Sequence, residues 1–193
     1  MKKVLVISST SIALSTIVCL FMSTQASLPT EVDSVSSIRS PLTSRDIDRT
    51  LQQRDLKYTK NRYCLALNIY HEARSESKLG QEAVALVAMN RRDSERYPNT
   101  VCGVVYQAKL DSNGNPIKNK CQFSWFCDGK SDYTENVSKW IEALDVAAYV
   151  YNGYGNIRDI TGGAIMYHGD YVDPYWKNDY TKTSRIDSHI FYK

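Results

Sequence analysis

A glutamate lies where an apolar helical stripe would otherwise continue. Leu65 and Ile69 precede Glu72 at the spacing of one helix face, so its carboxyl group is expected beside a core. Burial disfavours the charged form of a carboxyl group and raises its pKa, and so does a helix C-terminus, which the polar residues after the glutamate indicate. Such a group can donate a proton near neutral pH. Glu72 is therefore the candidate general acid.

Cleavage of a glycosidic bond uses a proton donor and usually a second carboxylate on the other side of the sugar. Glu76 is the nearest acid, but residues four apart project from the same helix face. It is better suited to orient a neighbouring loop than to oppose Glu72, and we keep it as a candidate substrate-binding residue. Five loop acids could oppose Glu72, and the local sequence distinguishes none of them: Asp128, Asp132, Asp170, Asp173 and Asp187.

The pair His71 and Glu72 invites comparison with the zinc-peptidase pattern HExxH. The position of the second histidine is Ser75, and the other histidines, His168 and His189, lie about a hundred residues further on. The sequence therefore predicts neither a metal site nor a cofactor.

The 193 residues accommodate one ordinary domain and an N-terminal appendage. Residues 1–26 have the features of a signal peptide: lysines at the start, an uncharged stretch, and a small residue, Ala26, at the cleavage site. A releasable membrane anchor is the alternative. Residues 27–61 are expected to form a linker with a short helix, and residues 62–193 the catalytic domain.

Charge and cysteine content restrict the class of protein. Signal cleavage removes two lysines and no acid, which lowers the formal charge from +3 to +1 and gives no basis for binding nucleic acid. Four cysteines remain, and in an exported protein an even number predicts two disulfides. The pairing stays open among Cys64, Cys102, Cys121 and Cys127.

Hydrophobic periodicity predicts an α+β fold with its helices first and its short strands last. A short helix is expected over Arg45–Leu56 and longer ones over Tyr63–Ser77, Gln81–Arg92 and Asn136–Tyr151, the last with Thr134 as its N-cap. Strands are expected over Ala164–His168 and His189–Tyr192. Fourteen tyrosines suit either a carbohydrate cleft or a small core stiffened by aromatic rings.

Ordered blocks over Cys64 to Tyr192 resemble the SleB-type cell wall hydrolases, the spore-cortex-lytic enzyme family. The blocks are LALNIYHEARSE (65–76), GQEAVA (80–85), NR (90–91), YPNTVCGVVYQ (97–107), CQFSW (121–125) with DG (128–129), TGGA (161–164) with YH (167–168), and IDSHIFY (186–192). The resemblance implies a lysozyme-like catalytic domain, mainly helical, in which Glu72 is the catalytic acid that cuts the glycan strands of peptidoglycan. It implies peptidoglycan as the partner of a monomeric enzyme acting in the periplasm or outside the cell.

By resemblance and position, Phe123, Ser124 and Trp125 are expected to form one wall of the cleft, and Tyr167 and His168 the other. The alternative for the tryptophan is a core residue beside a disulfide. Two departures from the family could reshape the cleft: a serine replaces a common glycine at position 75, and the insertion 109–120 lengthens a loop.

Three questions stay open at this stage. Either water or the C6 hydroxyl of muramic acid could attack after proton transfer. The domain could instead be a stem-peptide amidase or a peptidoglycan-binding module without turnover. The sequence is also compatible with both a host enzyme and a viral lysis protein.

Overall fold

The computed structural model describes residues 44–193. The predicted signal segment and residues 27–43 of the predicted linker lie outside this range. The helices are α1 Ser44–Ala73, α2 Lys78–Arg92, α3 Val101–Val105 and α4 Val137–Gly153. The strands are β1 Ala108–Leu110, β2 Pro116–Cys121, β3 Met166–Gly169, β4 Lys182–Ile186 and β5 His189–Tyr192.

Helix α1 is one continuous helix of 30 residues where the sequence predicts two. No glycine or proline interrupts the stretch, and its polar middle is held by tertiary contacts that no local pattern reveals. Tyr58 packs edge-on against Tyr151 of α4, at 5.2 Å between ring centroids, and Tyr63 does the same against Trp140 at 5.4 Å. The prediction of a separate short helix is therefore wrong, and α1 ends at Ala73 rather than Ser77.

Side-chain caps fix where the other helices begin. Ser77 accepts a hydrogen bond from the Gly80 amide, so α2 starts three residues earlier than predicted. Asn136 accepts one from the Lys139 amide at 3.0 Å and is the N-cap of α4, so the prediction of Thr134 as this N-cap is wrong. Both caps satisfy amides that the first helical turn leaves unpaired.

The three C-terminal strands form an antiparallel sheet in the order β3, β5, β4. The predicted strand His189–Tyr192 is confirmed, and β3 begins at Met166, two residues later than expected. Strand β4 was not predicted, because it is a polar edge strand whose residues are exposed or partly buried and show no clear alternation. The insertion 109–120 forms most of a hairpin between β1 and β2, whose turn closes where Asp111 accepts the amides of Asn113 and Asn115.

The main core lies between α1, α2, α3 and α4, and a smaller cluster joins α2 to the sheet. Ala83 and Val87 of α2 pack there with Ala164 and Phe191, all four fully buried. The predicted α+β fold, mainly helical with a few short strands, is confirmed. Between residues 44 and 193, no helix has the length and apolar character needed to cross a membrane.

Candidate active site

The carboxyl group of Glu72 lies in the last turn of α1, one residue before the helix ends. Its Oε2 accepts a hydrogen bond of 2.9 Å from the hydroxyl of Tyr167 on β3. Burial raises the pKa of Glu72, while the bond from Tyr167 and the positive charge of Arg91 act in the opposite direction. Glu72 makes no ion pair with any residue in the described range, so its proton stays available to a ligand.

Arg91 is a buried cation beside this carboxyl group, 3% exposed and near the end of α2. Its Nε donates to the carbonyl oxygen of Ile165 at 2.7 Å, and its guanidinium lies over the rings of Phe123 and Tyr97. The Nη1 nitrogen has no hydrogen-bond partner among the described residues. Arg91 therefore joins α2 to the start of β3 and places a positive charge behind Glu72.

Three cavities follow one another past Glu72, each sharing lining residues with the next, and we call them together the groove. The first, of about 160 Å³, is lined by Glu72, Arg91, Cys121, Gln122, Phe123, Ser124 and Tyr167. The second, of about 380 Å³, is lined by His71, Glu72, Arg74, Ser124, Trp125, Asp128, Lys130, Ser131, Asp132, Tyr171 and His189. The third, of about 190 Å³, is lined by Tyr70, His71, Arg74, Ser131, Tyr133 and Glu135. Glu72 borders the first two cavities, so a chain of sugars lying along the groove would cross its carboxyl group.

Trp125 combines the two roles considered for it, because it is 8% exposed and also borders the second cavity. Its Nε1 donates to Asn68 Oδ1 at 3.2 Å, and its ring stacks on His71 with centroids 4.5 Å apart. Burial lowers the pKa of His71, which favours a neutral imidazole in this stack. The tryptophan is thereby locked on the helix that carries Glu72.

The structure brings four of the predicted cleft residues to the groove and leaves two outside it. Phe123, Ser124, Trp125 and Tyr167 line the groove together with Glu72. Glu76 does not border it, because its carboxylate accepts bonds from the amide and hydroxyl of Ser188, at 3.2 and 2.6 Å. This contact corresponds to the loop-orienting role expected for Glu76.

His168 is buried behind the expected wall rather than on its surface. Its Nε2 lies 3.0 Å from the hydroxyl of Tyr192, its Nδ1 lies 2.8 Å from the carbonyl oxygen of Gly169, and its ring stacks on Tyr192. Neighbouring residues on a strand point to opposite faces, so Tyr167 faces the groove while His168 faces away.

Two of the five loop acids border the groove, which the sequence could not establish. Asp128 and Asp132 both line the second cavity, and desolvation raises the pKa of Asp132. The other three are engaged elsewhere: Asp170 with Arg185, Asp173 with Lys177, and Asp187 with Ser77. No described residues form a group of three potential metal ligands.

Two residues support the site although the sequence predicted no role for them. Arg91 follows Val84 and Val87 on an apolar face of α2, which is the same signal that identified Glu72. Asn68 lies one helical turn before Glu72 and is fully buried, and its role depends on Trp125, 57 residues away. The periodicity of α2 could have indicated Arg91, whereas the role of Asn68 could be recognised only from the fold.

Known proteins are similar to this chain over most of the described range. A family described as Cell Wall Hydrolase matches residues 75–192, a range that begins three residues after Glu72. The spore cortex-lytic enzyme of Bacillus cereus is 33% identical over 138 residues, covering 70% of this chain and 46% of that protein. The spore cortex-lytic enzyme of Oceanobacillus iheyensis is 30% identical over 138 residues, covering 70% and 43%. The chain thus spans about half the length of the curated relatives it matches.

The chain also matches a solved structure over nearly the whole length of that structure. It is the catalytic domain of the germination-specific lytic transglycosylase SleB from Bacillus anthracis, with a TM-score of 0.51 and 31% sequence identity. The match covers 69% of this chain and 93% of that domain.

Proposed function

Because the chain belongs to the cell wall hydrolase family, we propose that it cuts the glycan strands of peptidoglycan between N-acetylmuramic acid and N-acetylglucosamine. The reaction is lytic transglycosylation, with Glu72 as its single general acid and base. One observation carries the proposal: Glu72 holds a carboxyl group of raised pKa at the junction of two cavities, with a hydroxyl donor fixed on it. The name of the SleB domain supports the same reaction class.

In the first step, protonated Glu72 donates its proton to the glycosidic oxygen as the bond from this oxygen to C1 of the muramic acid breaks. The departing sugar leaves with a neutral hydroxyl group. In the second step, the Glu72 carboxylate accepts the proton of the muramic C6 hydroxyl while O6 bonds to C1. The products are a 1,6-anhydro end and a shortened strand, and the carboxyl group is again protonated.

The neighbours of Glu72 serve these two steps differently. Burial favours the protonated acid needed first, whereas the Tyr167 hydroxyl and the Arg91 charge favour the carboxylate needed second. Phe123, Ser124 and Trp125 contact the sugars from the wall of the groove. Glu76 and His168 act only through the elements that they hold in place.

Hydrolysis is the second candidate reaction, because Asp132 borders the same cavity as Glu72. A second carboxylate could activate water to attack C1, which would give a reducing end. Mass spectrometry of the released muropeptides distinguishes the two reactions. We expect anhydro ends, and an Asp132→Asn variant that still forms them. Reducing ends would favour hydrolysis, and free stem peptides would contradict cleavage of the glycan.

The proposed place of action is the periplasm or the cell exterior, with the predicted signal segment directing export. The structure contains two disulfides, Cys64–Cys102 and Cys121–Cys127, which are compatible with an oxidising compartment. The N-terminal residue of the mature protein tests this proposal, since signal cleavage after Ala26 leaves Ser27 first.

The decisive variant is Glu72→Gln, which keeps the shape of the side chain but removes the titrating group. We expect kcat to fall about 10²- to 10⁴-fold while binding to purified sacculi is retained. Glu95→Gln is the matched control, because Glu95 is exposed and lies outside the groove. Full activity of the Glu72 variant would refute the proposed role.

A further inference from the structure

The first cavity of the groove, which Glu72 and Arg91 line, adjoins another cavity. A further cavity of about 290 Å³ lies at the base of the β1–β2 hairpin and is lined by Gln107, Ala108, Lys109, Lys120, Cys121 and Gln122. Cys121 and Gln122 also line the cavity that contains Glu72. A strand that passes Glu72 on this side would therefore reach the hairpin.

Two lysines, one from each strand of the hairpin, border this cavity. Lys109 and Lys120 are both exposed, and neither ammonium group pairs with a carboxylate of the described residues. The only acid within the hairpin, Asp111, is engaged in the turn by the Asn113 and Asn115 amides. This end of the groove is therefore cationic. At the other end, Asp128 and Asp132 balance the basic side chains of the second cavity.

The hairpin is fixed relative to the reacting centre. The Gln122 amide donates to the Gln107 carbonyl oxygen at 2.9 Å and closes the hairpin base. A disulfide from Cys121 to Cys127 joins β2 to the turn that carries Ser124 and Trp125. The backbone that carries the two lysines is thus held at a set position along the groove, as a binding subsite requires.

We propose that Lys109 and Lys120 form a subsite for the carboxylates of the stem peptide on a sugar beside the cleaved bond. The inference rests on the proposed function, because it takes the occupant of the groove to be peptidoglycan. The sugars of such a strand are uncharged, so its stem-peptide carboxylates are the groups that match a pair of free ammonium ions. The hairpin then makes the enzyme prefer strands that still carry peptides.

The test compares two substrates: glycan strands with intact stem peptides, and the same strands after the free carboxylates of their peptides have been converted to uncharged amides. The readout is the ratio of KM on amidated strands to KM on strands with free carboxylates. In the double variant Lys109→Gln, Lys120→Gln, we expect this ratio to fall about three- to tenfold toward one, the effect of losing two exposed charge pairs. Added salt should lower the ratio for the unaltered protein and change it little for the variant.

Lys118→Gln is the matched control, because Lys118 belongs to the same hairpin but lies against Gly129 and not in the cavity. It should keep the ratio of the unaltered protein. An unchanged ratio in the double variant would overturn the subsite, and so would an equal drop in the control, which would indicate diffuse charge. If the unaltered protein releases no glycan fragments from either substrate, the proposed function itself fails.

Discussion

At the residue scale, the sequence pointed to Glu72 as the proposed acid but not to all of the groups that contact it in the structure. Glu72 was visible because it follows Leu65 and Ile69 on one helix face, a signal contained in eight residues. Tyr167, its hydrogen-bond donor, is 95 positions away and was named only as part of a wall. Which atom contacts the acid depends on how β3 packs on α2, and no local pattern contains that information.

The hydrogen bond from Tyr167 should appear in the pH dependence of the reaction. Since the first step of the proposed reaction needs protonated Glu72, kcat should fall as pH rises through the pKa of this residue. Tyr167→Phe removes a hydrogen-bond donor to the carboxylate, so the pKa of Glu72 rises. The decrease of kcat with pH, which we call the falling limb of the pH profile, then moves to higher pH. We also expect kcat to drop about tenfold, because the carboxylate formed midway loses this bond.

The control for that profile is Tyr171→Phe, since Tyr171 borders the groove but is 85% exposed. Its falling limb should coincide with that of the unaltered protein. A limb that stays in place in Tyr167→Phe would contradict the assignment of this pH dependence to Glu72.

The half-buried carboxyl group of Glu72 should also reduce stability at neutral pH. The folded pKa of Glu72 is raised above its ordinary value of 4.5, so between these values the native state holds a proton that the unfolded state has released. The free energy of unfolding therefore falls as pH rises through this window. Glu72→Gln removes the titration, so we expect its Tm to exceed that of the unaltered protein at pH 7 and the difference to shrink below pH 4.5. Equal melting curves at both pH values would argue that the carboxyl group is not desolvated.

At the element scale, the sequence predicted the elements with strong periodicity and missed those held by distant contacts. Helices α2 and α4 and strand β5 were placed to within a few residues, because apolar spacing and turn residues mark them. Strand β4 was missed, since as a polar edge strand it gains its structure by pairing with β5. The single span of α1 was missed for a similar reason, since α4 holds its polar part.

A pair of contacts ties the turn between β4 and β5 to the junction of α1 and α2. Glu76 accepts from Ser188, and Asp187 accepts from the amide and hydroxyl of Ser77. Glu76→Ala should therefore lower the free energy of unfolding by about 1–3 kcal/mol, as expected for a lost acceptor of two bonds. If Glu76 only orients this turn, KM stays within about twofold at temperatures where the variant is folded. A large rise in KM without loss of stability would instead indicate substrate contact.

At the scale of the whole molecule, the groove is assembled from segments that are far apart in sequence. Glu72 comes from the end of α1, Ser124 and Trp125 from the turn after the hairpin, and Tyr167 from the sheet. The family resemblance pointed to these segments in advance. The insertion 109–120 was expected to reshape the cleft, but the family pattern could not place it beside the groove, because the insertion is a departure from that pattern.

Two disulfides hold this assembly, and the expectation that the four cysteines pair is confirmed. Cys64–Cys102 joins α1 to α3 across 38 residues, and Cys121–Cys127 closes a loop of six residues around the groove wall. The longer loop restricts the unfolded chain more, so the first bridge should contribute more stability. The second lies closer to the chemistry, because the turn that it holds carries Ser124 and Trp125.

Removal of the first bridge should therefore affect mainly stability, and removal of the second mainly activity. Replacing Cys64 and Cys102 by serine should cost about 4 kcal/mol and lower Tm by roughly 8–16 °C, with kcat/KM retained at temperatures where the variant is folded. Replacing Cys121 and Cys127 should cost only about 2 kcal/mol, yet lower kcat/KM about tenfold because the groove wall loosens. Thermal melts and assays well below both midpoints measure the two effects. If loss of Cys64–Cys102 lowers kcat/KM and loss of Cys121–Cys127 does not, the result would contradict the position of the second bridge beside the reacting centre. A loop remote from the substrate could open without affecting the reaction.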